Sequence, residues 1–77
     1  MSYRLIYTQR AAIDIQGLDP KIKERVRKAL LRYESDPLRH AEKLMQSKLG
    51  SHRFRIGDYR VVFDLEGEEI VVGVLRL

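Results

Sequence analysis

The sequence has no cysteine, which excludes both disulfides and thiolate metal sites. It has no apolar run near the ~20 residues that a membrane-spanning helix needs. Its N-terminal residues also lack the apolar core of a secretory leader. We therefore expect a cytoplasmic protein with no membrane partner. A glycine-rich phosphate loop, a cluster of metal ligands and a nucleophile elbow are missing too, so we expect no cofactor and no metal.

The length and composition predict one small folded unit. The chain has 77 residues, of which 44% are hydrophobic and 34% are charged, a balance typical of globular proteins. A chain of this length has room for one domain, which we place at residues 1–77.

Positive charge is concentrated in one part of the chain. The net charge is +4, and residues 39–60 hold six basic and two acidic residues, which is also +4. Residues 61–77 hold one basic and four acidic residues, a net charge of −3. Excess positive charge attracts polyanions over a long range, and an acidic protein would respond to the same field. The expected partner of the basic segment is therefore either a nucleic acid or an acidic protein.

The spacing of apolar residues predicts the element order β-α-α-β-β-β. A strand at residues 3–7 leads to Thr8, which caps a short helix that ends at Gly17. Asp19-Pro20 begins a second, amphipathic helix, and Asp36-Pro37 is expected to end it. Three more strands are predicted at residues 52–56, 59–65 and 70–75, with a short strand near 43–45. We expect an α+β fold in which an antiparallel meander packs against an αα-hairpin.

Arginines alternate with apolar residues on the predicted strands. Alternation places Arg53 and Arg55 on one face of the sheet, and Arg60 joins them if the apolar residues face the helices. Arg76 on the last strand could lie on the same face. Guanidinium groups gathered in this way form a phosphate-binding surface. The alternatives are a solvated face and, for Arg60, an ion pair with an aspartate, either Asp58 or Asp64.

A longer motif carries a family resemblance. Lys43-Leu44 is followed by Leu49-Gly50 and then by the string Arg53-Phe54-Arg55-Ile56-Gly57-Asp58-Tyr59-Arg60. This pattern resembles the RelE/ParE toxin family, and the likeness covers nearly the whole chain. The resemblance implies the toxin of a type II toxin–antitoxin system, with a cognate antitoxin as its protein partner.

The resemblance also implies an activity and a site. RelE-like members cut messenger RNA in the ribosomal A site with basic residues, which implies Arg53, Arg55 and Arg60 as catalytic residues. Lys43, Lys48 and Arg76 would then be further contacts to RNA phosphates. Two alternatives stay open: a non-nuclease toxin of the ParE kind, which poisons DNA gyrase, and an inactive relative that only binds the antitoxin.

The sequence departs from the RelE pattern after its last strand. RelE-type enzymes usually continue with a further arginine or histidine and a terminal tyrosine, and this sequence stops at Leu77, where that segment would begin. The usual acid for the leaving oxygen is then missing. Either Glu42, His52 or Arg76 takes the acid–base role, or the chain is a weakened or inactive member.

Overall fold

The computed structural model describes residues 3–45 and 48–77. Residues 46 and 47, which belong to the connection expected between the helices and the meander, lie outside the described residues, as do residues 1 and 2. The elements are, in order, β1 (Arg4–Tyr7), α1 (Gln9–Gln16), α2 (Pro20–Tyr33), α3 (Pro37–His40), β2 (Glu42–Lys43), β3 (His52–Ile56), β4 (Tyr59–Glu66) and β5 (Glu69–Arg76).

The two longer helices begin at the predicted capping residues. The Oγ1 of Thr8 accepts a hydrogen bond from the Ala11 N–H at 3.1 Å, and the Asp19 carboxylate accepts one from the Lys21 N–H at 3.0 Å. Each bond satisfies one of the N–H groups that lack a partner within the helix. No helix in the described ranges is long and apolar enough to span a membrane.

The five strands form one sheet in the order β1-β5-β4-β3-β2. Strands β3, β4 and β5 pair antiparallel, so the predicted meander is confirmed. Strand β1 pairs parallel with β5, and β2 pairs with β3 at the opposite edge. Strand β5 therefore has a neighbour on each side, which agrees with its nearly continuous apolar sequence.

The hydrophobic core lies between the helices and one face of the sheet. Val26 and Leu30 of α2 pack there against Phe54, Phe63 and neighbouring strand residues. The rings of Phe54 and Phe63 stack with centroids 4.3 Å apart. On the other side of the sheet, no helix of residues 3–45 and 48–77 packs against the strands, and we call that side the open face. The predicted α+β class, with a helical hairpin on one side of the sheet, is confirmed.

The segment after α2 differs from the expectation. Helix α2 ends at Tyr33, before Asp36-Pro37, and that dipeptide begins α3 instead of ending α2. Asp36 is non-helical (φ −152°, ψ 75°), as the residue before a proline tends to be, whereas proline itself fits the first turn of a helix. The short strand β2 covers Glu42–Lys43 rather than residues 43–45.

Part of the open face is covered by the chain just before β3. Val62 and Val74 point away from the helical core, yet they are only 5% and 3% exposed. Gly50 is buried against Val62, since a Cβ built on it would lie 2.7 Å from Val62 Cγ1 and 2.8 Å from the carbonyl oxygen of Phe63. The backbone at Gly50 thus covers the apolar side chain of Val62 in the centre of the open face.

Replacing Gly50 by alanine is expected to destabilise the fold by about 1–3 kcal/mol, because the added methyl group meets a backbone oxygen that cannot rotate away. For a domain of this size, each kcal/mol lowers the midpoint of thermal unfolding by roughly 4–8 °C. Gly17→Ala is the matched control, since its Cβ would have its nearest neighbour at 3.6 Å. Circular dichroism on both variants measures the difference, and equal midpoints would contradict the close packing at Gly50.

Candidate functional site

Three arginines lie side by side across the open face. In the sheet register, Arg60 on β4 is opposite Arg55 on β3 and opposite Arg76 on β5. We call Arg55, Arg60 and Arg76 the arginine row. Like charges directly opposite each other on neighbouring strands are destabilising in a sheet. The row therefore costs the fold some free energy, and a bound anion would relieve that repulsion.

The position of Arg76 depends on an irregularity in β5. Val62 pairs with Val74 but Phe63 pairs with Val72, so Gly73 is an extra residue with no partner in β4. Strict alternation from Ile70 and Val72 would turn Arg76 towards the helices. The extra residue shifts the alternation, so that Leu75 enters the core and Arg76 joins Arg60. The Thr8 hydroxyl donates to the Gly73 carbonyl at 2.9 Å and holds the bulge against α1.

A single carboxylate holds the two arginines of β3. Glu42 on β2 is opposite Arg53, and its Oε2 lies 3.2 Å from the Arg53 Nη2. The other oxygen, Oε1, lies 3.3 Å from the Arg55 Nε. The Nε of Arg53 is buried and has no hydrogen-bond partner among the described residues. One guanidinium donor beneath this face is therefore left unsatisfied by the acceptors of the described residues.

Arg60 forms no ion pair with Asp58 or Asp64, the two carboxylates that the sequence offered as its partners. Within residues 3–45 and 48–77, no carboxylate forms an ion pair with Arg60 or Arg76. Asp64 shares the face of Arg60, but its Oδ1 accepts the Ser51 N–H at 2.9 Å. Asp58 is exposed in the two-residue turn before β4, where Gly57 adopts a φ of +61°. The ion pair left open for Arg60 is thus not formed.

The remaining candidate residues lie away from the row. His52 turns to the helical side, where its ring stacks on Phe63 at 5.6 Å and its Nδ1 lies 2.8 Å from the Ser51 hydroxyl. Lys43 is opposite His52 on β2 and is exposed, as is Lys48 in the connection before β3. The structure brings together Glu42, Arg53, Arg55, Arg60 and Arg76, and it does not bring His52 to them.

A second surface, which the sequence reasoning missed, is an apolar groove between α1 and α2. Its volume is about 270 Å³, and its lining includes Ala12, Ile15, Val26 and Leu30. Tyr7 lies at this groove, and its pKa is raised by burial and, to a lesser extent, by the negative charge of Glu34. Ala12 and Ile15 lie at helical spacing on α1 and are only half-buried in the fold. Their apolar character was the sequence signal that could have indicated the groove.

The chemistry available on the open face is anion binding. Guanidinium groups are always protonated and offer fixed donors that match phosphate oxygens. Within the part of the chain that the structure describes, no group of three histidine, aspartate or glutamate side chains could hold a metal ion.

Comparisons with known proteins bear on the family and on the fold. The family model described as the ParE toxin of the type II toxin–antitoxin system parDE matches residues 5–77. Several solved chains share the fold, and they include two toxin–antitoxin complexes. One is the toxin–antitoxin complex RelBE2 from Mycobacterium tuberculosis, at 23% identity and a TM-score of 0.88, with 97% of this chain and 96% of that chain covered. The other is the archaeal RelE–RelB complex from Pyrococcus horikoshii OT3, at 24% identity and a TM-score of 0.80, with 99% and 94% covered. No curated protein matches the sequence.

Proposed function

We propose that this chain, which belongs to the family of ParE toxins of type II toxin–antitoxin systems, acts as a ribosome-dependent endoribonuclease on messenger RNA. One observation carries the proposal. Arg60 lies between two further arginines on the open face, and among the described residues no carboxylate neutralises it. An exposed row of charge that is costly to the free protein fits a polyanionic substrate.

The arrangement of the arginines suits the transition state in which the 2′-oxygen of a ribose attacks the neighbouring phosphate of the RNA. Attack of the 2′-oxygen on phosphorus forms a 2′,3′-cyclic phosphate and breaks the bond to the 5′-oxygen of the next nucleotide, which leaves with a proton from water. The transition state carries extra negative charge on the phosphoryl oxygens. Guanidinium groups fixed on strands bind that charge better than they bind the ground state, which lowers the barrier. Arg60 is the central donor in this proposal, with Arg55 and Arg76 on either side. Arginine cannot accept the 2′ proton, since it stays protonated. Glu42 is the side chain on this face that we propose for that step.

The test is 5′-end mapping of messenger RNA in a bacterial cell-free translation reaction. Cuts that appear on translated message and are absent when ribosomes are omitted would support the proposal. Message that stays intact at high protein concentration would overturn it.

A second candidate is poisoning of DNA gyrase, which the match to the ParE family model favours. In that case the arginine row would contact the acidic surface of a protein or the DNA bound to it. A supercoiling reaction with purified gyrase separates the two candidates. Gyrase-dependent DNA breaks together with intact messenger RNA would establish the second candidate and exclude the first.

The partner of a type II toxin is its antitoxin, and both solved structures named above are toxin–antitoxin complexes. We propose that the apolar groove between α1 and α2 receives an amphipathic segment of that antitoxin. Lys23 and Arg27 also line this groove, and they favour a segment with acidic residues on its polar side.

Glu42→Gln is expected to bind RNA more tightly than the parent chain does. Glu42 occupies donors of Arg53 and Arg55, so a phosphate must compete with its carboxylate. Removing one negative charge from beside the bound phosphate is worth on the order of 1 kcal/mol, or about fivefold in affinity. Fluorescence anisotropy with a labelled single-stranded RNA measures the change.

Glu66→Gln is the control for this effect, because it changes the net charge equally at the opposite end of β4. Glu66 is exposed, and none of the described cations forms an ion pair with it. Equal affinities for the two variants would show that Glu42 does not compete for the arginines.

A further inference from the structure

A second cationic groove lies between α2 and the end of β3. Its volume is about 350 Å³, and four basic side chains line it, three from α2 and one from β3: Arg25, Lys28, Arg32 and Arg55. Its lining contains no acidic residue. It differs in chemistry from the groove between α1 and α2, whose lining is mainly apolar.

The three cations of α2 form one stripe along the helix. Residues 25, 28 and 32 are spaced by three and four, which places them on the same side of a helix with steps of about 4.5–6 Å. None of the three forms an ion pair with a carboxylate in the described ranges. By contrast, Arg27 on another side of α2 is paired with Glu24, with Nη2 and Oε1 2.6 Å apart. The helix neutralises one cation locally and leaves the stripe uncompensated.

Arg55 belongs both to this groove and to the arginine row. The turn at Gly57 lies at the junction, and a Cβ built there would be 3.6 Å from the guanidinium carbon of Arg25. The missing side chain leaves room beside that guanidinium. Asp58 lines a smaller cleft with Arg25 without forming an ion pair, whereas Arg55 is paired with Glu42, with Nε and Oε1 3.3 Å apart. Basic side chains therefore follow one another from the sheet, past the turn at Gly57, to α2, and among the described residues Arg25, Lys28 and Arg32 are the part of that path without an ion pair.

We propose that this groove binds the phosphate backbone of the RNA strand that crosses the arginine row, as a second, non-catalytic contact site. The inference rests on the proposed function, since the same strand occupies both surfaces. A nucleic-acid backbone suits the groove better than a peptide does. The lining offers four basic side chains and no acidic one, beside an apolar part made by Ala29, Tyr33 and Ile56. A backbone carries one negative charge per nucleotide, which matches the repeated cations, and it binds without an apolar anchor.

The test uses two charge-matched double variants on the helices. Arg25→Gln/Lys28→Gln removes two cations from the groove, and Arg10→Gln/Lys21→Gln removes two exposed cations of α1 and α2 that do not line it. Glutamine is a good helix former, so both variants should fold, and circular dichroism checks this. Binding of a labelled 12-nucleotide single-stranded RNA is measured by anisotropy at several salt concentrations, without ribosomes.

For single strands, each phosphate contact contributes about 0.7 to the slope of log affinity against log salt. The groove variant is expected to lose about 1.4 from the slope and roughly tenfold in affinity at ~0.1 M salt, whereas the control variant keeps most of both. Equal losses in the two variants would overturn the proposal, because they would reflect net charge alone. Retained RNA affinity with lost binding of an oligoglutamate peptide would assign the groove to an acidic protein segment and also overturn it.

The outcome is separable from that of the proposed function. Cleavage in the translation reaction depends on the arginine row, whereas the salt slope reports equilibrium binding in the groove. If the parent chain does not cleave translated message but the groove and control variants still differ in salt slope, the nuclease proposal is overturned and the groove assignment stands.

Discussion

Arg60→Ala is expected to lower the rate of messenger RNA cleavage by about 10²–10³-fold while leaving the chain folded. The loss has the size seen when one preorganised donor to a developing negative charge is removed. The fold should tolerate the change, because Arg60 is exposed, forms no ion pair among the described residues and is opposite two other cations. Its removal relieves repulsion, so the midpoint of thermal unfolding should stay equal or rise slightly.

Arg4→Ala is the matched control for charge. It removes the same positive charge from β1, where Arg4 is paired with Glu69 at 2.7 Å, at the opposite end of β5 from Arg76. The rate of cleavage in the translation reaction is the readout for both variants. A comparable fall in both would mean that the effect comes from net charge, and the central role of Arg60 would have to be abandoned.

Phe54→Ala is expected to produce the largest loss of stability. Phe54 is fully buried, and its ring contacts those of Phe63 and Tyr33, with centroids 4.3 and 4.8 Å away. Removing a buried phenyl group costs about 3–5 kcal/mol. A chain of this size has a total stability of roughly 4–12 kcal/mol, so the variant should lose a large share of it. The midpoint of thermal unfolding should fall by about 15–30 °C.

Leu31→Ala provides the comparison, because Leu31 lies on the solvent side of α2 and is 50% exposed. Its replacement should change the free energy of unfolding by less than about 0.5 kcal/mol. Chemical denaturation of both variants measures the two values. A Phe54 variant that unfolds within ~5 °C of the parent chain would show that the aromatic cluster does not hold the layers together.

Local sequence patterns predicted the parts of the fold that depend on neighbours in the chain. The caps at Thr8 and Asp19, the amphipathic α2 and the meander all follow from signals a few residues long. That Arg53, Arg55 and Arg60 share one face of the sheet was also predictable, because side chains alternate strictly between the two faces along β3 and β4. The motif of residues 53–60 identified the toxin family, which the family model confirms.

Features that depend on distant contacts could not be predicted in this way. The side on which Arg76 lies is decided by the bulge at Gly73, and alternation alone would have placed it in the core. The contact of Glu42 with Arg53 and Arg55 requires a two-residue strand to pair across the sheet edge, and so short an element leaves almost no pattern in the sequence. The role of Gly50 appears only once the chain before β3 lies on Val62.

The order of the strands has a consequence for synthesis. The first strand pairs with the last, and the last strand also completes the arginine row. Residues 4–7 therefore find their partner only after residues 69–72 have left the ribosome, and long-range closure of this kind is slow compared with helix formation. A nascent chain that has not yet released β5 can pair Arg55 with Arg60, but it lacks Arg76. The three-arginine surface is thus assembled only when the strand that joins both halves of the sheet has emerged, so the protein presents that surface late in its own synthesis.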